Sequence, residues 1–252
     1  MPQLRIIPRL DIKGSFVIKS VQLEGLRKVG DPAEFAKRYY EQGADELIFS
    51  DVVASLYGRN SLYDIVRQTA AEAFVPLTVG GGIRSTEDVS QMLRSGADKI
   101  SLNSAALERP HLISELSAQF GSQAIVVEIQ AKSRAGVKGW EALYDNGREH
   151  SNKDVVVWAQ EAVELGAGEI LLTSVDREGT RKGFDTDLIE VVSRATSVPV
   201  IVSGGLGQPE HMQQAVSHGA DAIAVADMLH YQRASLPDIK KAAQELGLEV
   251  RT

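Results

Sequence analysis

Two glycine turns, Gly80-Gly81-Gly82 and Gly204-Gly205, each follow a β-branched run and precede an amphipathic stretch. Glycine at a strand-to-helix turn lets backbone N–H groups approach an anion, and the dipole of the following helix adds to the attraction. A tight turn alone would explain one such site. Two at equivalent places point to a ligand with a phosphate at each end. Asp11 follows the first β-branched run, Arg5–Leu10. A carboxylate at the end of a strand, inside a closed pocket, can be tuned for proton transfer. Four further charges, Arg5, Glu46, Lys99 and Glu169, each open such a run. Brought together, two charges of each sign neutralise one another, and their plain reading is a salt-bridge layer.

The elements that must position these residues are legible as short apolar runs. They are Arg5–Leu10, Glu46–Val52, Val75–Val79, Lys99–Leu102, Ala124–Ile129, Glu169–Ser174, Val198–Ser203 and Ala222–Ala226. Amphipathic stretches such as Asp31–Glu41, Asn60–Ala73, Ser85–Ser95 and Lys153–Leu165 separate them. Strands buried on both faces read as continuous apolar runs, and alternation with helices implies a parallel sheet. The chain also repeats itself. Val75–Gly82 aligns with Val198–Gly205 at an offset of 123, and Gly96-Ala97-Asp98 with Gly219-Ala220-Asp221 at the same offset. Gly43-Ala44 and Glu46 meet Gly166-Ala167 and Glu169 in the same way. The expected fold is therefore an α/β (βα)8 barrel of two similar (βα)4 halves, a single domain over residues 1–252. An open doubly wound sheet is the alternative. The site of such a barrel lies at the C-terminal ends of its strands.

Composition removes several functions. There is no cysteine, so disulfides and thiolate metal sites are absent. A net charge of −7 argues against nucleic acid as a partner. The apolar runs are strand-sized and no signal peptide is read at the N-terminus, so a cytoplasmic protein with no membrane association is expected. His111, His150, His211, His218 and His230 show no ligand spacing. Neither a metal nor a cofactor is expected, and no Ser–His–Asp set can be assembled.

Arg5-Ile6-Ile7-Pro8, Leu10-Asp11, Gly30-Asp31-Pro32, Thr78–Ile83, Gly96–Lys99, Gly121–Ala124 and Gly166–Ser174 together resemble the cyclase subunit of imidazole glycerol phosphate synthase, from Arg5 to Arg251. That resemblance implies a barrel that takes ammonia from a glutaminase docked on its N-terminal face and adds it to a bisphosphate ribulosyl aminoimidazole compound. It makes Arg5, Glu46, Lys99 and Glu169 an ammonia gate, favouring a channel over a plain salt-bridge layer, and makes Asp98 a docking residue. Asp11 becomes the catalytic acid, and Lys19, in a long loop, closes over substrate. Gly81, Gly82, Asn103 and Ser104 fall at the first phosphate site. Glu178, Gly179, Gly204, Gly205, Ala226 and Asp227 fall at the second, and Thr173 falls among the phosphate- or substrate-binding residues.

The pattern is broken in places. Gln130 stands where the resemblance puts a second catalytic carboxylate, and Ile129-Gln130-Ala131-Lys132 is the half-barrel counterpart of Leu10-Asp11-Ile12-Lys13. An amide has no usable basicity near neutral pH, and losing a required base costs ~10²–10⁴ in rate. Glu128, on the same face one layer deeper, is the nearest substitute. Glu178 replaces an aspartate and Asp227 a serine, and a carboxylate capping the helix after the eighth strand would repel a phosphate. Arg9 sits where a small residue is usual. These departures favour a paralogue with weak or absent cyclase activity, an ammonia-conducting subunit working with a glutaminase and a third amidotransferase protein in acetamidino-sugar synthesis for surface polysaccharides. The alternative is an orthodox cyclase with a rewired base. A sugar-amine isomerase needs both half-barrel acids, and Gln130 argues against it.

Overall fold

The computed structural model describes residues 3–54 and 62–251. Its strands, in chain order, are β1 (Arg5–Lys13), β2 (Phe16–Val21), β3 (Glu24–Gly30), β4 (Leu47–Asp51), β5 (Leu77–Gly80) and β6 (Lys99–Leu102). Then come β7 (Ile125–Ser133), β8 (Trp140–Tyr144), β9 (Glu149–Asp154), β10 (Glu169–Ser174), β11 (Val200–Ser203) and β12 (Ala222–Val225). Eight of them pair in parallel in the order β1-β4-β5-β6-β7-β10-β11-β12, and β12 returns to β1. The fold is a closed (βα)8 barrel. Its strands coincide with the eight apolar runs because both strand faces are buried, one against helices and one inside the bore.

Local sequence explains where the helices start. Asp31 accepts from Ala33 N and Glu34 N, with Pro32 opening helix Pro32–Glu41. Ser85 and Asp88 form a capping box on helix Thr86–Arg94, and Asp154 caps Val155–Glu164. The helix expected over Asn60–Ala73 is Tyr63–Ala70, with Asn60 outside the described residues. A large apolar cluster fills the space between helices and barrel. A smaller one, centred on Ile7, Ile48, Val126, Leu171 and Ile201, fills the lower bore.

The remaining four strands form two antiparallel hairpins, β2–β3 after β1 and β8–β9 after β7. Each follows the first strand of a half, so the duplication extends to the rim. Both hairpins escaped the sequence reading because their outer strands are largely polar and solvent-facing. One consequence is a correction. Lys19 lies in strand β2, not in a loop, and is only 2% exposed.

The Gly-Ala-Asp repeats have a structural reason. Asp45, Asp98 and Asp221 each accept, through the side chain, the N–H of Ile6, Leu77 and Val200, at 2.7, 2.8 and 2.8 Å. In each case the acceptor clasps the first residues of the preceding barrel strand. The fourth turn carries Gly168 instead, because a Cβ there would lie 2.1 Å from the carbonyl oxygen of Ser122. Glu46, Lys99 and Glu169 follow directly on three of these turns, which sets them together at the strand starts.

Candidate functional site

Those three residues and Arg5 close a ring of alternating charge at the barrel floor. Arg5 Nη1 donates to Glu46 at 2.7 Å and to Glu169 at 2.8 Å. Lys99 Nζ donates to Glu46 at 3.0 Å and to Glu169 at 2.9 Å. Each carboxylate uses one oxygen for each cation, so no charge in the ring is left over. Asp98, next to the ring in sequence, is exposed while one oxygen holds the Leu77 N–H.

Above the ring, the bore is apolar and then turns polar. Ser50, Thr78 and Ser101 bury hydroxyls there without a protein partner. Next comes Arg9, whose guanidinium crosses the bore from β1. It donates from Nε to Asp11 at 3.0 Å and from Nη1 to Thr173 at 2.8 Å, and pairs through Nη2 with Glu128 at 2.9 Å. Glu128, the nearest substitute base, is therefore occupied by a permanent cation. Burial by itself would raise the Asp11 pKa, but Arg9 and Lys19 outweigh it and hold the carboxyl below the ordinary carboxylate range. A carboxyl held ionised is placed to accept a proton rather than to give one. Neighbouring His230 is stacked on Tyr39, whose hydroxyl lies 2.7 Å from Nδ1. Burial and nearby Lys19 push the imidazole down to about 4.

The upper face divides into two unequal halves. Gly81, Gly82, Asn103 and Ser104 line a cavity of about 130 Å³ together with Arg9, Glu128 and Gln130. Asp145, at the tip of the β8–β9 hairpin, meets Ser104, accepting from its hydroxyl at 3.2 Å and donating its N–H at 3.0 Å. Glu178, Gly179, Gly204, Gly205, Ala226 and Asp227 gather around the second turn, where the cavity is about 20 Å³. That is room for about one water within the turn. Thr173 is not part of it: the strand alternation points its side chain into the bore, where it holds Arg9. Asp227 makes ion pairs in place of the expected cap, lying 3.0 Å from Arg233 and 3.6 Å from Arg181. Glu178 is ion-paired with Lys19, and Gln22 N donates to its carbonyl at 2.9 Å. Lys19 and Asp11 are thereby sealed beneath the β2–β3 hairpin. Leu23 at its tip packs with Leu143 and Val175, tying the two hairpins over the mouth.

The glycines also answer to packing. A Cβ at Gly81 would lie 2.4 Å from Asp51 O, and one at Gly205 would lie 2.2 Å from Gly183 O. The tight-turn reading therefore suffices for both. Among the described residues no cluster of His, Cys, Asp or Glu is placed to hold a metal ion. Nor is any helix among them long and apolar enough to cross a membrane.

Comparison with known proteins gives this geometry a family. The model of a histidine biosynthesis protein family matches residues 5–235. A protein of Legionella pneumophila named imidazole glycerol phosphate synthase subunit HisF is 58% identical over 210 residues, covering 83% of this chain and 99% of that one. Proteins of the same name from Geobacillus kaustophilus and Corynebacterium glutamicum strain R are 52% and 48% identical, each covering 98% of both chains. The chain belongs to the HisF family. Within the HisF frame, three site features went unread in the sequence. Arg9 stands out in the sequence as a departure, with nothing to mark it as a bridge across the bore. Arg233 gives no local signal. Asp145 had one: Asp145-Asn146-Gly147 is a hairpin turn sequence, and Asp145 and Asn146 take φ of 49° and 57°.

Proposed function

We propose that this chain is the ammonia-using barrel subunit of a glutamine amidotransferase of the imidazole glycerol phosphate synthase type, acting as one (βα)8 domain over residues 1–252. The observation that carries the reading is the closed ring of Arg5, Glu46, Lys99 and Glu169. A ring that merely closed the floor would sit on a dry core. This one sits below an apolar segment followed by buried, unpartnered hydroxyls, a path suited to a small neutral hydrogen-bonding molecule. A separate glutaminase docks on this face, with Asp98 at the contact, and supplies ammonia from glutamine.

The relatives' names favour cyclisation, forming imidazole glycerol phosphate, as the reaction at the upper face. They do not support the acetamidino-sugar paralogue expected from the sequence departures. In this reading Asp11 and Lys19 act on substrate once the Lys19–Glu178 pair opens, and Asn103 and Ser104 hold one phosphate. The paralogue stays as a second reading because one arrangement favours it. Gln130 offers no base, Glu128 is held by Arg9, and Glu178 and Asp227 place two carboxylates around the second turn.

One experiment separates the two. The chain is incubated with the bisphosphate cyclase substrate and excess ammonium salt at mildly alkaline pH, with Gln130→Asp alongside. Turnover by the unmodified chain supports the cyclase. Silence from folded protein supports the paralogue, and a gain of activity in Gln130→Asp alone would identify the missing carboxylate as the lesion. Failure to bind or activate a glutaminase of the imidazole glycerol phosphate synthase type would refute the amidotransferase reading altogether.

A further inference from the structure

A groove of about 850 Å³ lies outside the barrel mouth, between the turn that joins β7 to β8, the loop after β10 and the helix Thr186–Ala195. It is far larger than either cavity of the upper face and shares no lining residue with them.

Its charge is unbalanced. Arg134, Lys138, Arg177 and Lys182 line it, and none of the four has an ion-pair partner among the described residues. The neighbouring carboxylates are already engaged. Asp176 accepts from Lys132 Nζ at 2.5 Å and from Ser133 N at 2.9 Å. Asp185 accepts from Trp140 Nε1 at 3.0 Å and caps the helix through Leu188 N at 3.2 Å. Glu190 is paired with Arg194 at 2.6 Å. Glu141, whose field Arg134 also feels, is held by His150 at 3.0 Å and by Asn152 N at 2.7 Å. Of the lining acids, Asp187 alone has no partner among the described residues, and it sits in the first turn of its helix, where the dipole favours it. A local surplus of positive charge in a chain of net charge −7 attracts an anion.

The rest of the lining describes the body of that anion. Trp140, Val137 and Val191 form an apolar wall, with Val137 66% and Val191 38% exposed. Anchoring of Trp140 Nε1 on Asp185 fixes the indole in place. The volume falls in the range of roughly 300–1,000 Å³ typical of sites for small organic ligands, well beyond the needs of a bare phosphate. An apolar wall with an indole suits a flat ring better than a polyhydroxyl chain.

We propose that this groove binds a nucleoside phosphate, its phosphate held by Arg134 and Arg177 and its base placed against Trp140 and Val137. A guanidinium pairs with two phosphate oxygens at once, and the two arginines are the half-buried cations of the four, whereas Lys138 and Lys182 are exposed at the edge. One loop joins this groove to the upper face. Arg177, Thr180 and Lys182 line the groove, while Glu178, Gly179 and Arg181 line the second glycine turn. An occupant therefore braces the loop that carries Glu178, the partner of Lys19.

The test compares adenosine 5′-monophosphate with ribose 5-phosphate, which has the same sugar and phosphate but no base, by isothermal titration of the full chain. The nucleotide is expected to bind at least ~tenfold tighter, the worth of about one base stacked on an aromatic side chain. It should also quench tryptophan fluorescence, and the signal belongs to Trp140 because Trp158, the other tryptophan, is wholly buried. Arg134→Gln combined with Arg177→Gln should weaken nucleotide binding at least ~tenfold. Ser104→Asp, which puts a carboxylate in the upper cavity, should leave it unchanged. Loss of binding in Ser104→Asp with retention in the double arginine variant places the nucleotide in the upper cavity and overturns the inference. Equal affinity of the native chain for the two probes, or no binding of the nucleotide, overturns it without any variant.

Discussion

The guanidinium of Arg9 is the most consequential group in the barrel, and its removal gives the sharpest test of the site's electrostatics. Arg9→Met keeps the bulk of the side chain and deletes the charge. It leaves Glu128 without its cation, Asp11 with Lys19 alone, both carboxylates nearly inaccessible, and Thr173 without its donor. Two charge-assisted contacts and one neutral one exceed the cost of desolvating the guanidinium, and stripping one partner from a buried pair typically costs about 3–5 kcal/mol. Against a total stability of about 5–15 kcal/mol the variant still folds, with a midpoint lowered by roughly 2–4 °C per kcal/mol. Urea unfolding at pH 7 measures it. Arg9→Met combined with Glu128→Gln should recover part of the loss, giving a coupling of at least ~1 kcal/mol in a double-mutant cycle. The sign with pH is also fixed. The Asp11 pKa is held down in the folded chain, so its contribution is fully present above the unfolded value of about 3.9 and is lost as pH falls through the lower folded value. A loss below about 1 kcal/mol in Arg9→Met, with strictly additive double variants, would refute the bridge.

Three further outcomes are expected. His230 stays neutral until about pH 4, so stability is complete above about 6.5 and falls by up to about 3 kcal/mol as pH drops to the folded value; NMR titration showing an imidazole pKa near 6.5 would contradict this. Asp98→Ala and Asp221→Ala each remove one clasp onto a backbone N–H, so each should cost about 1 kcal/mol in urea unfolding, while only Asp98→Ala weakens glutaminase binding. Equal effects of the two on binding would remove Asp98 from the docking face. In the complex, Lys99→Met unbalances the floor ring, so glutamine-driven turnover should fall while ammonium-driven turnover holds; parallel losses would mean the ring is structural only.

The barrel was readable because its strands are buried on both faces and therefore appear as uninterrupted apolar runs, and because the two halves repeat at a fixed offset. The floor ring was readable for the same reason: its members open strands, and a strand start is a position that sequence locates well. The rim was not. Gln22 and Leu23 turn the β2–β3 hairpin with φ of 52° and 64°, although neither is a residue type that favours that conformation. The hairpin is therefore set by tertiary contacts: Gln22 to Glu178, and Leu23 against Leu143 and Val175. Thr173 is legible from strand alternation alone, which, applied from Glu169 upward, puts it in the bore beside Arg9.

These features are linked through charge. In the resemblance, position 130 holds a carboxylate and position 9 a small residue; here the carboxylate is gone and a cation has appeared one layer below. Glu128 connects the two changes, since it meets Arg9 at 2.9 Å and Gln130 Nε2 at 3.4 Å. A third carboxylate at 130 would crowd Asp11 and Glu128, which already share the Arg9 guanidinium. Gln130→Asp is therefore predicted to be less stable than the native chain, by about 1–3 kcal/mol for a buried charge lacking a full complement of partners. Arg9→Ala together with Gln130→Asp should not recover that loss, because it removes the cation as well. Restoring the base without strain requires Glu128→Val in addition, so that Arg9 serves only Asp11 and the introduced carboxylate. If Gln130→Asp alone unfolds at the native urea midpoint, the two changes are independent and the charge argument fails.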